Sequence, residues 1–109
     1  VPLLEFYNML GLCMRAGACV YGGAQCEKAV KAGRVKLVIL DSQVSDNTRK
    51  HFNDICAYRN IVCIEMNDNE GLGRSIGKDN IKIIGVTDNG FSMNVYKKFK
   101  EGSDHPSES

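Results

Sequence analysis

Three short apolar runs, Val35-Lys-Leu-Val-Ile-Leu40, Ile61 to Met66 and Ile81 to Thr87, are separated from one another by stretches patterned as helices. Bounded runs of this length fit strands, and a nearly continuous apolar run fits a strand covered on both faces. Strands joined through helices of about ten residues or more imply parallel crossovers, with the crossover helices lying on the faces of the sheet. The predicted fold is therefore α/β: a three-layer α/β/α sandwich with a small mixed, mainly parallel, central sheet of about four strands. The short extended piece Ala18 to Tyr21 supplies the remaining strand.

The intervening stretches read as amphipathic helices. Leu3, Phe6, Leu10, Cys13 and Met14 recur at three- and four-residue steps and form one stripe, which ends near Gly17. Gly22-Gly23 precedes a second helix with Cys26, Ala29 and Val30 inward, Gln25, Lys28 and Lys31 outward, and Gly33 as the stop. Ser45 is placed to cap a third, on which Thr48, Phe52, Ile55 and Cys56 share a face while Arg49, Lys50, His51 and Asn53 look outward. A short helix follows the Ile61 to Met66 run, and Asp88-Asn-Gly90 leads into a last one carrying Phe91, Val95 and Phe99.

A chain of 109 residues builds one hydrophobic core, so every site must lie on one domain, assigned to residues 1–100. Residues 101–109, EGSDHPSES, carry three acids and no lysine or arginine, and are expected to be a flexible acidic tail. Without them 14 basic groups face 10 acidic ones, so the body carries +4 although the whole chain carries only +1. No apolar run approaches the roughly 20 residues needed to span a bilayer and no leader is visible at Val1, so a cytoplasmic protein without membrane contact is expected. Cys13, Cys19, Cys26, Cys56 and Cys63 are odd in number, lack C-x-x-C spacing and sit among apolar neighbours; they read as reduced thiols serving as small hydrophobes. Neither His51 nor His105 has a partner at metal-ligand spacing, so no metal is expected.

Gly71-Leu-Gly-Arg-Ser-Ile-Gly-Lys-Asp79 looks at first like a phosphate-binding loop. A triphosphate loop needs a glycine five residues before the Gly-Lys pair and a hydroxyl directly after it, the latter to hold Mg²⁺. Here Leu72 and Asp79 occupy those positions, and the match fails twice. The dinucleotide pattern fails too, because Ile76 stands where its third glycine belongs. Leu72 and Ile76 instead share the inward face of a short helix that Gly77 ends, with Gly73 allowing close packing; its exit, Lys78 to Lys82, is a polar, basic connection into a strand, where binding groups are often carried. Gly22-Gly23 offers a companion site, because glycines at a helix start expose backbone N–H groups to an anion and Lys28 adds a charge one turn in.

Catalysis finds little support. Asp41 and Thr87 at strand ends faintly suggest a phospho-accepting receiver, but the acidic pair that would hold Mg²⁺ is missing, and no nucleophile elbow surrounds any serine. No catalytic residue and no cofactor are assigned.

The segments LGLCMRAG, VYGGAQCEKAVKAGRVKLVILDSQVSDNTRK, LGRSIGK and GVTDNGF together resemble the kink-turn-binding ribosomal protein superfamily, of the L-seven-Ae and L-thirty-e types, and its small bacterial members in particular. In their order they span nearly all of residues 3–99. The resemblance implies an α/β/α sandwich and a ligand that is structured RNA, a kink-turn or internal loop, with ribosomal RNA or the ribosome as the expected partner of a monomeric protein. It implies that the glycine before the second helix, the polar pair after it and the lysine one turn on meet tandem G·A pairs; these positions are Gly22, Ala24, Gln25 and Lys28. Ala24 and Gln25 replace the family's Asn and Glu, which leaves backbone and lysine contacts to carry binding. A second implied contact is the loop Lys78 to Ile83. The RNA-binding residues expected from these arguments are Gly22, Gly23, Gln25, Lys28, Lys31, Lys78, Lys82 and Ile83, with Gln25 at a base edge and Lys28 and Lys31 on phosphates. The alternative is a protein–protein interaction or adaptor module on the same fold, which needs no basic face.

Overall fold

The structure, a computed structural model, describes residues 4–67 and 71–104. The elements are α1 (Leu4–Arg15), β1 (Cys19–Tyr21), α2 (Gly23–Lys31), β2 (Leu37–Asp41), α3 (Asp46–Tyr58), β3 (Val62–Met66), α4 (Gly71–Ser75), β4 (Ile83–Val86) and α5 (Asn89–Asp104). Local chemistry fixes several of their ends. The Ser45 side chain accepts the Thr48 N–H at 3.1 Å, which satisfies an otherwise unpaired amide at the start of α3. Asp88 does the same for α5, accepting the Phe91 N–H at 2.9 Å.

The four strands form one sheet in the order β1-β4-β2-β3. Only β2 and β3 pair in parallel; β4 lies between β1 and β2 and is antiparallel to both. The expectation of a mainly parallel sheet is thus corrected, and the difference lies in the connection from β3 to β4. β1, β2 and β3 all run the same way, as crossovers through α2 and α3 require. Between β3 and β4 the described helix is the five-residue α4, which rises about 7 Å, less than half the length of a strand, and packs into the α1 face instead of serving as a crossover helix. The chain therefore re-enters the sheet from the end it left, and β4 runs backwards.

The two faces carry separate cores. Phe6, Leu10 and Cys13 of α1, Leu72 of α4, Ile76 just after it and Val95 of α5 pack on Leu37, Ile39, Ile64, Met66, Ile84 and Val86. Cys26, Ala29 and Val30 of α2 with Phe52 and Cys56 of α3 pack on Val38, Leu40 and Ile83. Leu37 to Leu40 alternate between these clusters and are all buried, as the apolar run predicts, and Asp41, which closes the run, is buried as well. β3 is different: it is an edge strand with Val62 and Glu65 exposed, so the Ile61 to Met66 run is only half covered.

All five cysteines are free thiols, and three of them, Cys13, Cys26 and Cys56, are buried. The last helix continues to Asp104, past the boundary drawn at residue 100 from composition, supported by an ion pair from Lys98 to Glu101 at 3.6 Å. The rest of the expected tail, residues 105–109, lies outside the described residues. No described helix is long and apolar enough to cross a membrane.

Candidate nucleic-acid interface

The sheet directions bring three chain segments to one end of the molecule: the β1–α2 junction, the β2–α3 loop and the loop from α4 into β4. At the first, Gly22 caps α2 with φ 89° and ψ 150°, a conformation that side-chain-bearing residues rarely adopt. Its N–H donates to the Ile83 carbonyl at 2.9 Å, which continues the β1–β4 ladder by one bond and ties the start of α2 to the start of β4. Its own carbonyl accepts the Cys26 N–H at 2.9 Å. Gly23 lies directly over Ile83: a Cβ at this position would sit 3.6 Å from Ile83 Cδ1.

The α4 exit is built by tight packing. Gly77 turns the chain at φ 76°, and the Lys78 N–H donates back to the Gly73 carbonyl at 2.8 Å, closing the helix. The loop then folds against α4 so closely that a Cβ on Gly73 would lie 2.7 Å from the Lys78 carbonyl oxygen and 3.2 Å from the Ile81 nitrogen. Asn80, at φ 59°, turns the loop towards the sheet. Lys78 Nζ sits 5.4 Å from the centre of the Tyr21 ring, so the loop reaches across to the end of β1.

Two adjoining clefts result. One, about 320 Å³, is lined by Gly22, Gly23, Val44, Ser45, Lys82 and Ile83 among others; the second, about 490 Å³, by Gly73, Arg74, Lys78, Asp79 and Lys82. Gln43, Asn80, Ile81 and Lys82 line both and make them one continuous groove. Of the expected residues, Gly22, Gly23, Lys78, Lys82 and Ile83 converge here, Ile83 as buried floor. Gln25 and Lys28 are exposed on the first two turns of α2 beside the groove. Lys31 is set apart, since its ammonium pairs with Glu27 at 2.7 Å and Glu27 also meets His51 of α3 at 3.2 Å. Those contacts, Lys31 first and His51 second, hold the Glu27 carboxyl below its usual range.

Gln43 and Val44 are groove residues that the sequence does not single out; Ser45 reads there only as a helix cap, and Asn80 only as part of the Lys78 to Ile83 loop. Their signal was present, because loops at the carboxyl ends of parallel strands gather where ligands bind in open α/β sheets. Assigning the β2–α3 loop to the same end as Gly22 required knowing that β1 and β2 run in one direction. Beneath this loop Asp41 is fully buried, and its Oδ1 accepts the Gln43 N–H at 2.8 Å. The carboxylate thus shapes the loop from below and is closed to any phosphate donor.

The electrostatics favour an anion. Among the described residues, Arg49, Lys50, Lys31 and Lys98 are matched by carboxylates at 2.7–3.6 Å. Lys28, Lys78 and Lys82 have no carboxylate partner among the described residues; Lys78 and Lys82 line the groove, with Asp79 the one acid lining it, and Lys28 is exposed on α2, whose first residue Gly23 lines it. Amides of a helix start, exposed ammonium groups and the flat face of Tyr21 together suit phosphates beside an unpaired base.

Residues 5–96 match the Ribosomal protein L7Ae/L30e/S12e/Gadd45 family, which takes in every residue of the groove. The chain belongs to this family. Within it, the chain is 37% identical over 89 residues to the RNA-binding protein YlxQ of Bacillus subtilis, covering 82% of this chain and 89% of that one. It is 35% identical over 103 residues to the large ribosomal subunit protein eL30 of Sulfurisphaera tokodaii, covering 90% and 93%. Among solved structures, a protein of unknown function from Bacillus halodurans superposes with a TM-score of 0.85 at 37% identity, covering 89% of this chain and 98% of the other. A 15.5kD RNA binding protein of Giardia lamblia superposes at 0.75 with 17% identity, covering 94% and 88%, a likeness of fold alone. The mixed four-stranded α/β/α sandwich is thus the fold these solved structures share.

Proposed function

We propose that this L7Ae-family protein binds structured RNA through the groove at the carboxyl ends of β1 and β2, with an RNA kink-turn or internal loop as the recognised element and ribosomal RNA as the first target. The observation that carries this reading is the convergence of the Gly22-Gly23 helix start and the Lys78 to Ile83 loop on one groove whose lysines have no carboxylate partner among the described residues. Relatives named as RNA-binding and ribosomal proteins, matched over four-fifths of the chain or more, support it.

Each group has a separate task. The α2 start offers backbone N–H groups and the positive end of the helix dipole to a phosphate. Lys28, Lys78 and Lys82 neutralise backbone charge without reading sequence. Gln25, whose amide both donates and accepts, reads a base edge in place of the acidic residue found in the family pattern. Ile81 and the Gly23–Ile83 contact give an apolar surface for an unstacked base. Lys31 adds less, because RNA must compete with Glu27 for it.

The test is titration of a fluorescent kink-turn RNA at several salt concentrations. Lys28→Ala with Lys82→Ala should weaken binding to all RNAs and flatten the log–log salt slope by about 1.4–1.8, at roughly 0.7–0.9 per lost phosphate contact. Gln25→Ala should instead relax selectivity by about 1–3 kcal/mol between the kink-turn and a variant with its G·A pairs replaced. An unchanged slope in the double lysine variant refutes the assignment.

A further inference from the structure

At the opposite end of the sheet lies a second cleft, of about 490 Å³, lined by Gly33, Val35, Lys36, Arg59, Asn60, Ile61, Asn89 and Ser92. It is formed where β2 and β3 begin and α5 starts, so a full length of β2, about 16 Å, separates it from the groove. Lys36 is exposed and has no carboxylate partner among the described residues, and the same holds for Arg34 two positions before it. The Arg59 guanidinium also lacks such a partner and lies 5.3 Å from the centre of the Tyr58 ring. Tyr58 is the most exposed large apolar side chain described, at 82%. Asp88 is the nearby acid, and its carboxylate is committed to the Phe91 N–H at the start of α5. Among the described residues, Lys36 thus stands without a carboxylate partner at this end of the sheet, as Lys78 and Lys82 do at the other.

We propose that this cleft is a second nucleic-acid contact, which takes a single-stranded RNA backbone on Lys36 and Arg59 and stacks one unpaired base on Tyr58. The chemistry favours RNA over an acidic peptide. A carboxylate-rich peptide needs only the cations, whereas here the exposed Tyr58 ring, held next to the cleft by its contact with Arg59, stands near the amides of Asn60 and Asn89, which both donate and accept as base edges require. Two RNA contacts at opposite ends of one small sheet make the protein a bridge between two RNA segments. This surface is independent of which RNA the groove takes.

The experiment uses the full chain, a labelled oligouridylate of twelve nucleotides and an excess of unlabelled kink-turn RNA to occupy the groove. Oligouridylate should still bind. Lys36→Gln with Arg59→Gln should lower its affinity about tenfold and reduce the salt slope by about 1.4, at roughly 0.7 per contact to a single strand. Tyr58→Ala should lower affinity by at least fivefold, while Tyr58→Phe, which keeps the ring, should restore it. Lys28→Ala with Lys82→Ala should weaken the kink-turn RNA but leave the Lys36- and Arg59-dependent part of oligouridylate binding unchanged, which separates failure here from failure of the groove assignment. Urea midpoints of all variants report folding. Complete displacement of oligouridylate by the kink-turn RNA overturns the proposal, as do unchanged affinity in the Lys36/Arg59 variant and tighter Lys36- and Arg59-dependent binding of oligoglutamate than of oligouridylate.

Discussion

Replacing Gly73 by alanine isolates the contact that shapes the groove. The new Cβ would lie 2.7 Å from the Lys78 carbonyl oxygen, a distance real Cβ atoms do not adopt, and the obstructing atom is backbone. Either α4 or the Lys78 to Lys82 loop must move by several tenths of an ångström, and forced displacement of this kind costs about 1–3 kcal/mol. Two other glycines serve as controls. At Gly77 the added Cβ meets nothing within 4 Å but is held at φ 76°, which costs about 1–2 kcal/mol through backbone strain alone. At Gly23 it makes an ordinary 3.6 Å contact with Ile83 and should change stability by less than about 0.5 kcal/mol. Urea unfolding ranks the three. Amide NMR shifts locate the response, which for Gly73→Ala should spread over residues 78–82 and for Gly77→Ala should stay at the helix end. RNA titration should show Gly73→Ala weakened about tenfold, because Lys78 and Lys82 leave their positions together. If Gly73→Ala unfolds at the same urea concentration as Gly23→Ala and binds RNA like the parent chain, close packing does not set the loop.

Further outcomes follow from single groups. Burial pushes the Cys26 thiol up to about 12 from an ordinary value near 9, while its Sγ donates weakly to the Val20 carbonyl at 3.6 Å. A raised thiol keeps its stabilising effect below the unfolded value and loses it as pH rises, so stability should fall by up to about 1.4 kcal/mol per pH unit between pH 9 and 12. Cys26→Ala should be less stable at pH 7 but lose less on alkalinisation, measured by urea midpoints at fixed ionic strength. Asp79→Asn removes the acid that lines the groove and should tighten RNA binding severalfold at low salt, with the gain fading as salt screens it. Ser45→Ala should cost about 1 kcal/mol by freeing the Thr48 N–H, read as a lower thermal midpoint, and should loosen the wall formed by residues 43–45.

How much of this was legible in the sequence depends on the range of the interaction concerned. The start of α3 at Ser45, the turns at Gly17, Gly33 and Gly77, the burial of Leu37 to Leu40 and the inward faces of α2 and of α1 at Phe6, Leu10 and Cys13, with Leu3 of the same stripe outside the described residues, follow from contacts a few residues apart, so pattern alone gives them. The likeness of GLGRSIGKD to a triphosphate loop also resolves locally, because Leu72 and Ile76 enter the core and Lys78 faces the groove. The exposure of β3 was not legible. Its run is as apolar as that of β2, and only the strand order β1-β4-β2-β3 leaves it at an edge.

Sequence by itself determined the elements and the two-sided burial of the sheet's centre, and it nominated the lysines proposed to meet RNA, since each rests on side-chain chemistry and short-range periodicity. Tertiary structure alone decided the direction of β4 and the meeting of Gln43 and Asn80 with Gly22 in one groove. The physical reason is common to both. Residues 22, 43 and 80 become neighbours only because β1 and β2 run one way and β4 runs back between them, and strand order and direction are set by contacts between residues far apart in the chain.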